Sequence, residues 1–573
     1  MKSIINKKSI TIFTIIAYVL AILVFEIGYC NTQLVIGKLE GKSDINYYFS
    51  PARVLIYALF LILYVIFKNK FIEEAQNAAQ NKYKRVFIYV SVIATIIAII
   101  IAGVACYKKP VITRGISIGV ITAILWSIFI IYVSNNHVKN MIVIGCTIGL
   151  IFSIVTKFNH STDEKKHFMT AFNVSYFNLD YYKHPITDEK INNIKHFLRY
   201  NEIEEDLLKP YTPQITNEVN MDDMPSTPTS YNFLLYVFPA AGIFMARTLG
   251  GSIIDMYILG RVFNLVLYII LTCIALKLIP FKKNIFLTVF LMPMMVLLAG
   301  TFSIDGACIG LVSIFIAYCL KIYKESTTIS LKQFLILVGL FALMLLAKSM
   351  AYILVGFMVF ILPITKTIKK NKKYIPAMVA FLIIAIIAVG SFVLYERNTK
   401  MFSDTRGEGN VDAEEQLNYM LKNPLHDVQL AIEHSKNTLL NYSWYDGLNE
   451  KVFFGQDSSA VFLVMMLFTL YIALTEDDYN FGKKEKIIFL VTFMLVFGMT
   501  SAMLYVTFTQ VGALNVKGYQ TRYIVPILPL VLFALSNSKV ITNKEKTKNR
   551  TMNVTIVMAI FILISIAQSI VIK

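Results

Sequence analysis

Charge is scarce in this sequence: only 16% of its 573 residues are Asp, Glu, Lys or Arg. Soluble domains devote about a quarter of their residues to charge, so the deficit excludes a chain made of ordinary soluble domains. Apolar residues instead make up 56% of the sequence, and the mean hydropathy is +0.62. Because an apolar run of about 20 residues can cross a bilayer as a helix, we predict an all-α polytopic membrane protein.

Motifs of the common soluble enzymes are missing as well. The six cysteines are scattered without a CxxC pair, which argues against a zinc or redox site. No Walker loop, HExxH or GxGxxG pattern occurs, and this argues against a P-loop ATPase, a zincin or a dinucleotide enzyme. We therefore predict no resident metal or cofactor, while a bound Mg²⁺ or Mn²⁺ is left open.

The net charge of +18 does not indicate a nucleic-acid partner, because Lys and Arg lie in short clusters between apolar runs. Clusters of this kind follow the positive-inside rule, which sets the orientation of a membrane protein. With a cytoplasmic N-terminus, nearly every cluster faces the cytoplasm, and only the basic loop 107–114 does not. The clusters on the cytoplasmic side are then 68–85, 280–284, 321–333, 365–374, 482–486 and 537–550.

The apolar runs predict a bundle of roughly 13–15 spanning helices, interrupted by two long polar loops on the outer face. The segment 231–249 contains Pro239 and Arg247, so we expect a juxtamembrane or re-entrant helix there, with a spanning helix as the alternative. The predicted organisation is an accessory or first group of helices (1–157), a first outer loop with juxtamembrane helices (158–256), central helices (257–394), a second outer loop (395–458) and C-terminal helices (459–573). The predicted spans are 10–29, 53–67, 85–106, 114–133, 139–157, 257–278, 284–300, 305–322, 331–347, 350–366, 375–394, 459–475, 485–508, 521–537 and 552–572.

An acid pair follows the fifth predicted span. Asp163 and Glu164 lie in STDEKKH at 161–167, together with His167. A carboxylate at the membrane surface can deprotonate an acceptor hydroxyl or bind a divalent cation. Taken alone, this cluster is better explained as a solvated loop at a helix N-terminus.

Cations and further polar residues lie at other expected outer helix ends. Arg261 and Asn264 are three residues apart, on one face of a helix. Lys348 is expected in a short outer turn, and Arg522 lies in KGYQTRYIVP at 517–526. A guanidinium binds phosphate through two parallel hydrogen bonds, whereas the plainer role for such residues is snorkelling to headgroups. Asp305, in a turn before a helix, is either functional or a helix cap.

The arrangement suits a lipid-phosphate-linked sugar. Cations at the membrane surface stabilise a departing phosphate, and an acid in the outer loop activates the acceptor. A transporter or flippase for a lipid-linked glycan, or a glycan polymerase, would also need cationic helix ends. Broken helices in paired repeats are typical of transporters and are not evident in this sequence.

In order and spacing, these clusters resemble the bacterial multi-pass family called domain of unknown function 2142, which belongs to the C-type glycosyltransferase superfamily. Two positions depart from the family pattern: Thr162 stands in place of the usual Pro, and Thr521 in place of Gly. The matching residues are Asp163, Glu164, His167, Phe168, Arg261, Asn264, Ser303, Asp305, Lys348, Tyr352, Gln520, Arg522, Tyr523 and Pro526.

The resemblance implies an inverting transfer from a polyprenyl-phosphate-linked sugar to a cell-envelope polysaccharide or glycolipid at the bacterial plasma membrane. It implies that Asp163 is the catalytic base, with Glu164 beside it as the second candidate. Arg261, Lys348 and Arg522 are expected to bind the donor phosphate. The expected substrate-binding or supporting residues are His167, Asn264, Asp305, Tyr352, Gln520 and Tyr523.

Overall fold

A computed structural model of the chain shows a protein built almost entirely of helices over the residues it describes. Within those residues, Thr187–Asp188 and Ile215–Thr216 pair as two short antiparallel strands. The described residues are 7–30, 50–89, 110–156, 161, 163–188, 191, 205–216, 228–229, 231–370, 372–377, 379–384, 386–387, 410–440, 459–476, 478–536 and 549–571.

The described part of the chain contains seven helices that are long and apolar enough to span a membrane. This confirms an all-α, multi-pass membrane protein. The predicted span 85–106 falls largely outside the described residues. The seven helices are Lys7–Ile27, Pro51–Gln80, Gly115–Tyr132, His137–Ile154, Ile253–Leu278, Asp305–Glu325 and Lys483–Phe508; shorter apolar helices are Phe233–Thr248, Leu331–Ala347, Tyr374–Ile384, Val461–Thr475, Val525–Leu535 and Arg550–Ile566.

Several predicted helix boundaries were wrong. Pro51–Gln80 continues through most of the predicted loop 68–85, because that stretch is rich in the helix formers Ala, Glu, Gln and Lys. The predicted span 284–300 is two helices, Lys283–Phe290 and Pro293–Ala299, since proline cannot donate the backbone bond that would continue the first.

The helix that carries Lys348 also differs from the prediction. It runs from Leu331 to Tyr352, so Lys348 lies in its last turns rather than in a connecting turn. The predicted span 350–366 is instead a 3₁₀ segment, Ile353–Ile361, followed by the helix Ile364–Lys370.

Two compact units make up the chain. The first comprises residues 1–269, 296–304 and 551–573. In it, the helix Glu164–Ser175 packs against Val237–Thr248, the helix of the expected juxtamembrane segment. Arg247 ties the two together, because its guanidinium lies 3.4 Å from the centre of the Tyr176 ring and donates to Ser175.

The second unit comprises residues 270–295 and 305–550. Asp305–Glu325 packs against Leu331–Tyr352, and Lys483–Phe508 packs against both Leu528–Leu535 and Ile353–Ile361. The predicted span 521–537 therefore begins with the short 3₁₀ turns Thr521–Tyr523 and Val525–Ile527 and becomes a regular helix only at Leu528. Pro526 lies in this irregular part, and Pro529 lies in the first turn of the regular helix, where a missing N–H costs no helical hydrogen bond.

The orientation of the chain stays a prediction from its lysine clusters, and cysteine labelling tests it. In a variant without the six native cysteines, Leu179→Cys and Glu414→Cys should react with an impermeant maleimide on intact cells. Tyr83→Cys should react only after permeabilisation. All three positions are exposed, so accessibility does not confound the comparison. The reverse labelling pattern would contradict a cytoplasmic N-terminus.

Candidate active site

A fully buried ion pair joins Glu164 to Arg261. Both side chains have 0% exposure, and Glu164 Oε1 lies 2.8 Å from both Nε and Nη2 of Arg261. The same oxygen accepts a bond of 3.1 Å from the backbone N–H of Phe302. Arg261 Nη1 also donates to the carbonyl of Thr156 at 2.5 Å. Each charge is compensated locally, as burial in a medium of low polarity requires.

This pairing bears on two predicted roles. Glu164 was the second candidate for the catalytic base, and Arg261 was expected to bind the donor phosphate. In the structure each group is engaged by the other and is closed to solvent. The arrangement favours positioning roles for both residues.

Asp163 differs sharply from its neighbour. Its side chain is exposed, and its backbone has φ 59°, in the left-handed region that non-glycine residues seldom adopt. The residue lies directly before the helix Glu164–Ser175, and its carbonyl accepts a bond from the N–H of His167. Because Glu164 is anchored in the interior, the backbone at Asp163 is fixed while its carboxylate reaches the surface. Thr162, one of the two departures from the family pattern, lies outside the described residues.

His167 occupies a buried aromatic site in the first unit. Its Nδ1 lies 2.7 Å from the hydroxyl of Tyr236, and its ring stacks on Tyr231 and Tyr236. The Tyr236 hydroxyl in turn contacts the hydroxyl of Thr229 at 2.7 Å. These contacts hold Thr229, Tyr231 and Tyr236 against the helix that follows Asp163. Of the two roles predicted for His167, they favour support over substrate contact.

Asn264 holds the turn after the helix Pro293–Ala299. Its side-chain amide donates to the carbonyls of Thr301 at 2.7 Å and Ser303 at 3.0 Å. Glu164 binds the N–H of Phe302 within the same turn, so two side chains on separate helices fix this backbone through three hydrogen bonds. Gly260 permits the close approach, because a Cβ there would lie 2.4 Å from the Phe302 ring.

The second unit contains a separate polar cluster around Arg522. Arg522 Nη1 lies 3.2 Å from Asp305 Oδ2, and both side chains are only 8% exposed. Asp305 begins the helix Asp305–Glu325, where the helix dipole favours a carboxylate. Arg522 is therefore held by the Asp305 carboxylate, whose negative charge is stabilised by the helix that Asp305 begins.

Tyr352 and Gln520 shape the backbone around Arg522. The buried Tyr352 hydroxyl donates to the carbonyl of Tyr523 at 3.2 Å. The N–H of Tyr523 donates to the carbonyl of Gln520 at 3.0 Å, which closes a tight turn with Arg522 inside it. Tyr523 thus contributes backbone atoms to this turn, and the half-buried Gln520 begins it. The side chain of Lys348 lies outside the described residues.

The sequence interpretation missed His434. This buried histidine, on the helix Pro424–Ser435, contacts Ser501 Oγ at 3.0 Å and stacks on Phe497. Its ring also makes a T-shaped contact with the ring of Tyr519, the residue directly before Gln520. Burial lowers the pKa of His434 to about 4, so the ring is neutral at physiological pH. No spacing in the sequence signals the contact between His434 and Tyr519, because 85 positions separate them.

A second missed network lies among the N-terminal helices. Arg53 Nε lies 2.7 Å from Glu26 Oε1, and its Nη1 lies 3.1 Å from Asp255 Oδ1, all buried. The sequence does carry a signal here, since Glu26 and Arg53 are charges at the borders of apolar runs. The network attaches the N-terminal helices to the start of the helix Ile253–Leu278.

Among the described residues, no group of three or more His, Cys, Asp or Glu side chains is arranged to hold a metal ion. The first large loop presents an exposed carboxylate at Asp163, directly beside a closed ion pair. Such a group can accept a proton from a hydroxyl at the surface.

Comparison with known proteins gives a match to a family model. The sequence profile of a family described as a predicted membrane protein, DUF2142, matches residues 146–531, which is more than half of the chain. Every candidate residue from Asp163 to Arg522 falls within that range. No curated protein and no solved structure matches.

Proposed function

The chain belongs to the DUF2142 family of predicted membrane proteins, and from that premise we propose that it is a C-type membrane glycosyltransferase. Its donor is a sugar linked to polyprenyl phosphate, and its acceptor is a cell-envelope polysaccharide or glycolipid outside the bacterial plasma membrane. The observation that carries the proposal is the exposed Asp163 carboxylate on a backbone fixed by the buried Glu164–Arg261 pair.

Asp163 serves as the base in this reaction. It takes the proton of the acceptor hydroxyl as that oxygen attacks the anomeric carbon of the sugar. The bond from this carbon to the phosphate oxygen breaks with its electron pair, which leaves polyprenyl phosphate. The new glycosidic bond has inverted configuration, and the proton passes from the Asp163 carboxyl to water.

Arg522 stabilises the phosphate that leaves. Asp305 holds one Nη of Arg522 and so fixes the plane of the guanidinium. A guanidinium oriented in this way can donate two parallel bonds to phosphate oxygens, and these strengthen as negative charge develops. Lys348, four residues before Tyr352, is the second proposed phosphate ligand.

Substitution of Arg522 tests this role. Arg522→Lys keeps the positive charge but loses the two parallel N–H donors of the guanidinium. We therefore expect donor affinity to fall about tenfold, equivalent to about 1.4 kcal/mol. Arg522→Ala should lose more, and the measurement is titration of the purified protein with labelled donor. Asp305→Asn is the matched control, because it keeps the arginine and should weaken binding less. Native affinity in a well-expressed Arg522→Ala variant would remove Arg522 from the donor site.

The proposed reaction is tested by transfer of label. The protein, in nanodiscs, is given polyprenyl-phosphate donors with radiolabelled sugars and a cell-envelope fraction as acceptor. We expect label to appear in the glycan or glycolipid fraction. A protein that instead moves intact donor across proteoliposome membranes, without transfer to any acceptor, would be a transporter.

A further inference from the structure

The second large polar loop contains an apolar surface where a solvated loop would be polar. Its two helices, Ala413–Lys422 and Pro424–Ser435, are called here the loop hairpin. Leu421 and Leu425 are 82% and 85% exposed. The complete exposed stripe consists of Leu417, Leu421, Leu425, Val428 and Ile432. Burying five such side chains is worth about 1.5–3 kcal/mol each, so water is an unfavourable environment for this face.

The opposite side of the loop hairpin is bound to the rest of the second unit, and two of these contacts are polar. Gln416 is fully buried, and its side-chain oxygen accepts from the N–H of Gly512. His434 contacts Ser501, as described above. Gln416 and His434 thus face the protein together with Leu430, while five large apolar side chains face outward. A helix pair covered by water would show the reverse pattern.

The position of Ser501, which His434 contacts, indicates how deep the loop hairpin lies relative to the membrane. Ser501 belongs to Lys483–Phe508, one of the candidate spanning helices, and lies seven residues before its end. At 1.5 Å per residue, His434 contacts that helix about 10 Å from its end. A helix of 26 residues is about 39 Å long and the hydrocarbon core is about 30 Å thick, so the contact falls near the membrane interface.

The same spanning helix has its own exposed apolar surface, which includes Ile487, Leu490 and Met494. This is the surface a spanning helix presents to lipid. The loop hairpin therefore packs against an element that already borders the bilayer.

A polar flank completes the pattern. Glu415, Asn418 and Lys422 are exposed on the first helix of the loop hairpin. Helical spacing places Lys422 about 100° around the axis from Leu421. One side of this helix thus meets protein, one side is apolar and one is charged, as in helices that lie in a membrane surface.

We propose that the loop hairpin lies in the bilayer surface, with its five apolar residues inserted among the lipid headgroups and upper acyl chains. The occupant of the apolar face is the bulk membrane lipid. Insertion fixes the helix Pro424–Ser435, whose His434 contacts Tyr519 next to the Arg522 turn. The inference does not depend on the proposed transferase reaction or on the orientation of the chain.

Tryptophan fluorescence in nanodiscs tests this placement in the full-length protein. The background carries Trp126→Phe and Trp444→Phe, which removes both native tryptophans. Into it are placed Leu421→Trp, Leu425→Trp and, as the matched control on the polar flank, Lys422→Trp. All three sites are exposed, so none should disturb the fold. Each variant is quenched separately by phospholipids brominated at different acyl carbons and by aqueous iodide.

We expect the tryptophans at 421 and 425 to be quenched several-fold more by brominated lipid than the control, and less by iodide. The strongest quenching should come from bromines near the top of the acyl chains, about 5–10 Å below the headgroup boundary. Equal iodide quenching at all three positions would overturn the proposal in favour of a solvated hairpin. Shielding from both quenchers would overturn it in favour of a second copy or another protein. Lipid-like shielding that appears only after polyprenyl phosphate is added would overturn it in favour of the donor chain.

Discussion

Replacing Arg261 with Met should destabilise the protein by about 3–5 kcal/mol, because the Glu164 carboxylate would then be buried without its cation. The substituted side chain fills a similar volume, so the loss reports on charge and not on a cavity. Stability is measured as the denaturant or detergent midpoint of the purified protein. Few single substitutions outside this pair should have so large an effect.

The double variant Glu164→Leu with Arg261→Met is the control. Removing both charges leaves neither group uncompensated, so most of the lost stability should return. The N–H of Phe302 and the carbonyl of Thr156 lose their partners in this variant, which sets a smaller remaining cost. Equal destabilisation in the single and double variants would contradict a compensating ion pair.

Asp163→Asn should lower turnover by about 10²-fold or more, since it removes the proposed base. Asn keeps the shape of the side chain and tolerates the left-handed backbone, so folding and donor binding should persist. Turnover is measured per folded protein, by single-turnover sugar transfer at saturating donor.

Asp163→Gly separates the carboxylate from the backbone. Glycine adopts φ 59° without steric cost, so this variant should fold at least as well as the native protein and still be inactive. Glu164→Gln should act mainly on stability, because Glu164 is closed to solvent. Native turnover in Asp163→Asn together with loss of turnover per folded protein in Glu164→Gln would assign the base to Glu164.

The sequence predicted well those features that depend on local composition. Apolar runs identified the helices Ile253–Leu278, Asp305–Glu325 and Lys483–Phe508 within a few residues of their bounds. The break at Pro293 and the extension of Pro51–Gln80 also have local causes, because proline interrupts the first segment and residues of high helix propensity continue the second. The placement of Lys348 in a helix could not be predicted in the same way, because hydropathy does not distinguish a connecting turn from the last turns of a helix.

Partnership between side chains could not be predicted in this way. The sequence singled out Glu164, Arg261, Asp305 and Arg522 as costly charges near a membrane. It did not show that Glu164 and Arg261, which are 97 positions apart, neutralise each other. The tertiary contacts therefore favour positioning roles for Glu164 and Arg261, while the role of Asp163 as a base stays a prediction.

The central claim is sugar transfer from a lipid-phosphate donor with Asp163 as base, and release of free polyprenyl phosphate measures it most directly. Purified protein in nanodiscs is mixed with donor and acceptor glycan, and the lipid products are separated over time. We expect the native protein to release one polyprenyl phosphate for each sugar transferred, and Asp163→Asn to release about 10²-fold less. Release at the same rate from both proteins, or none from either across the range of donors, would contradict the account.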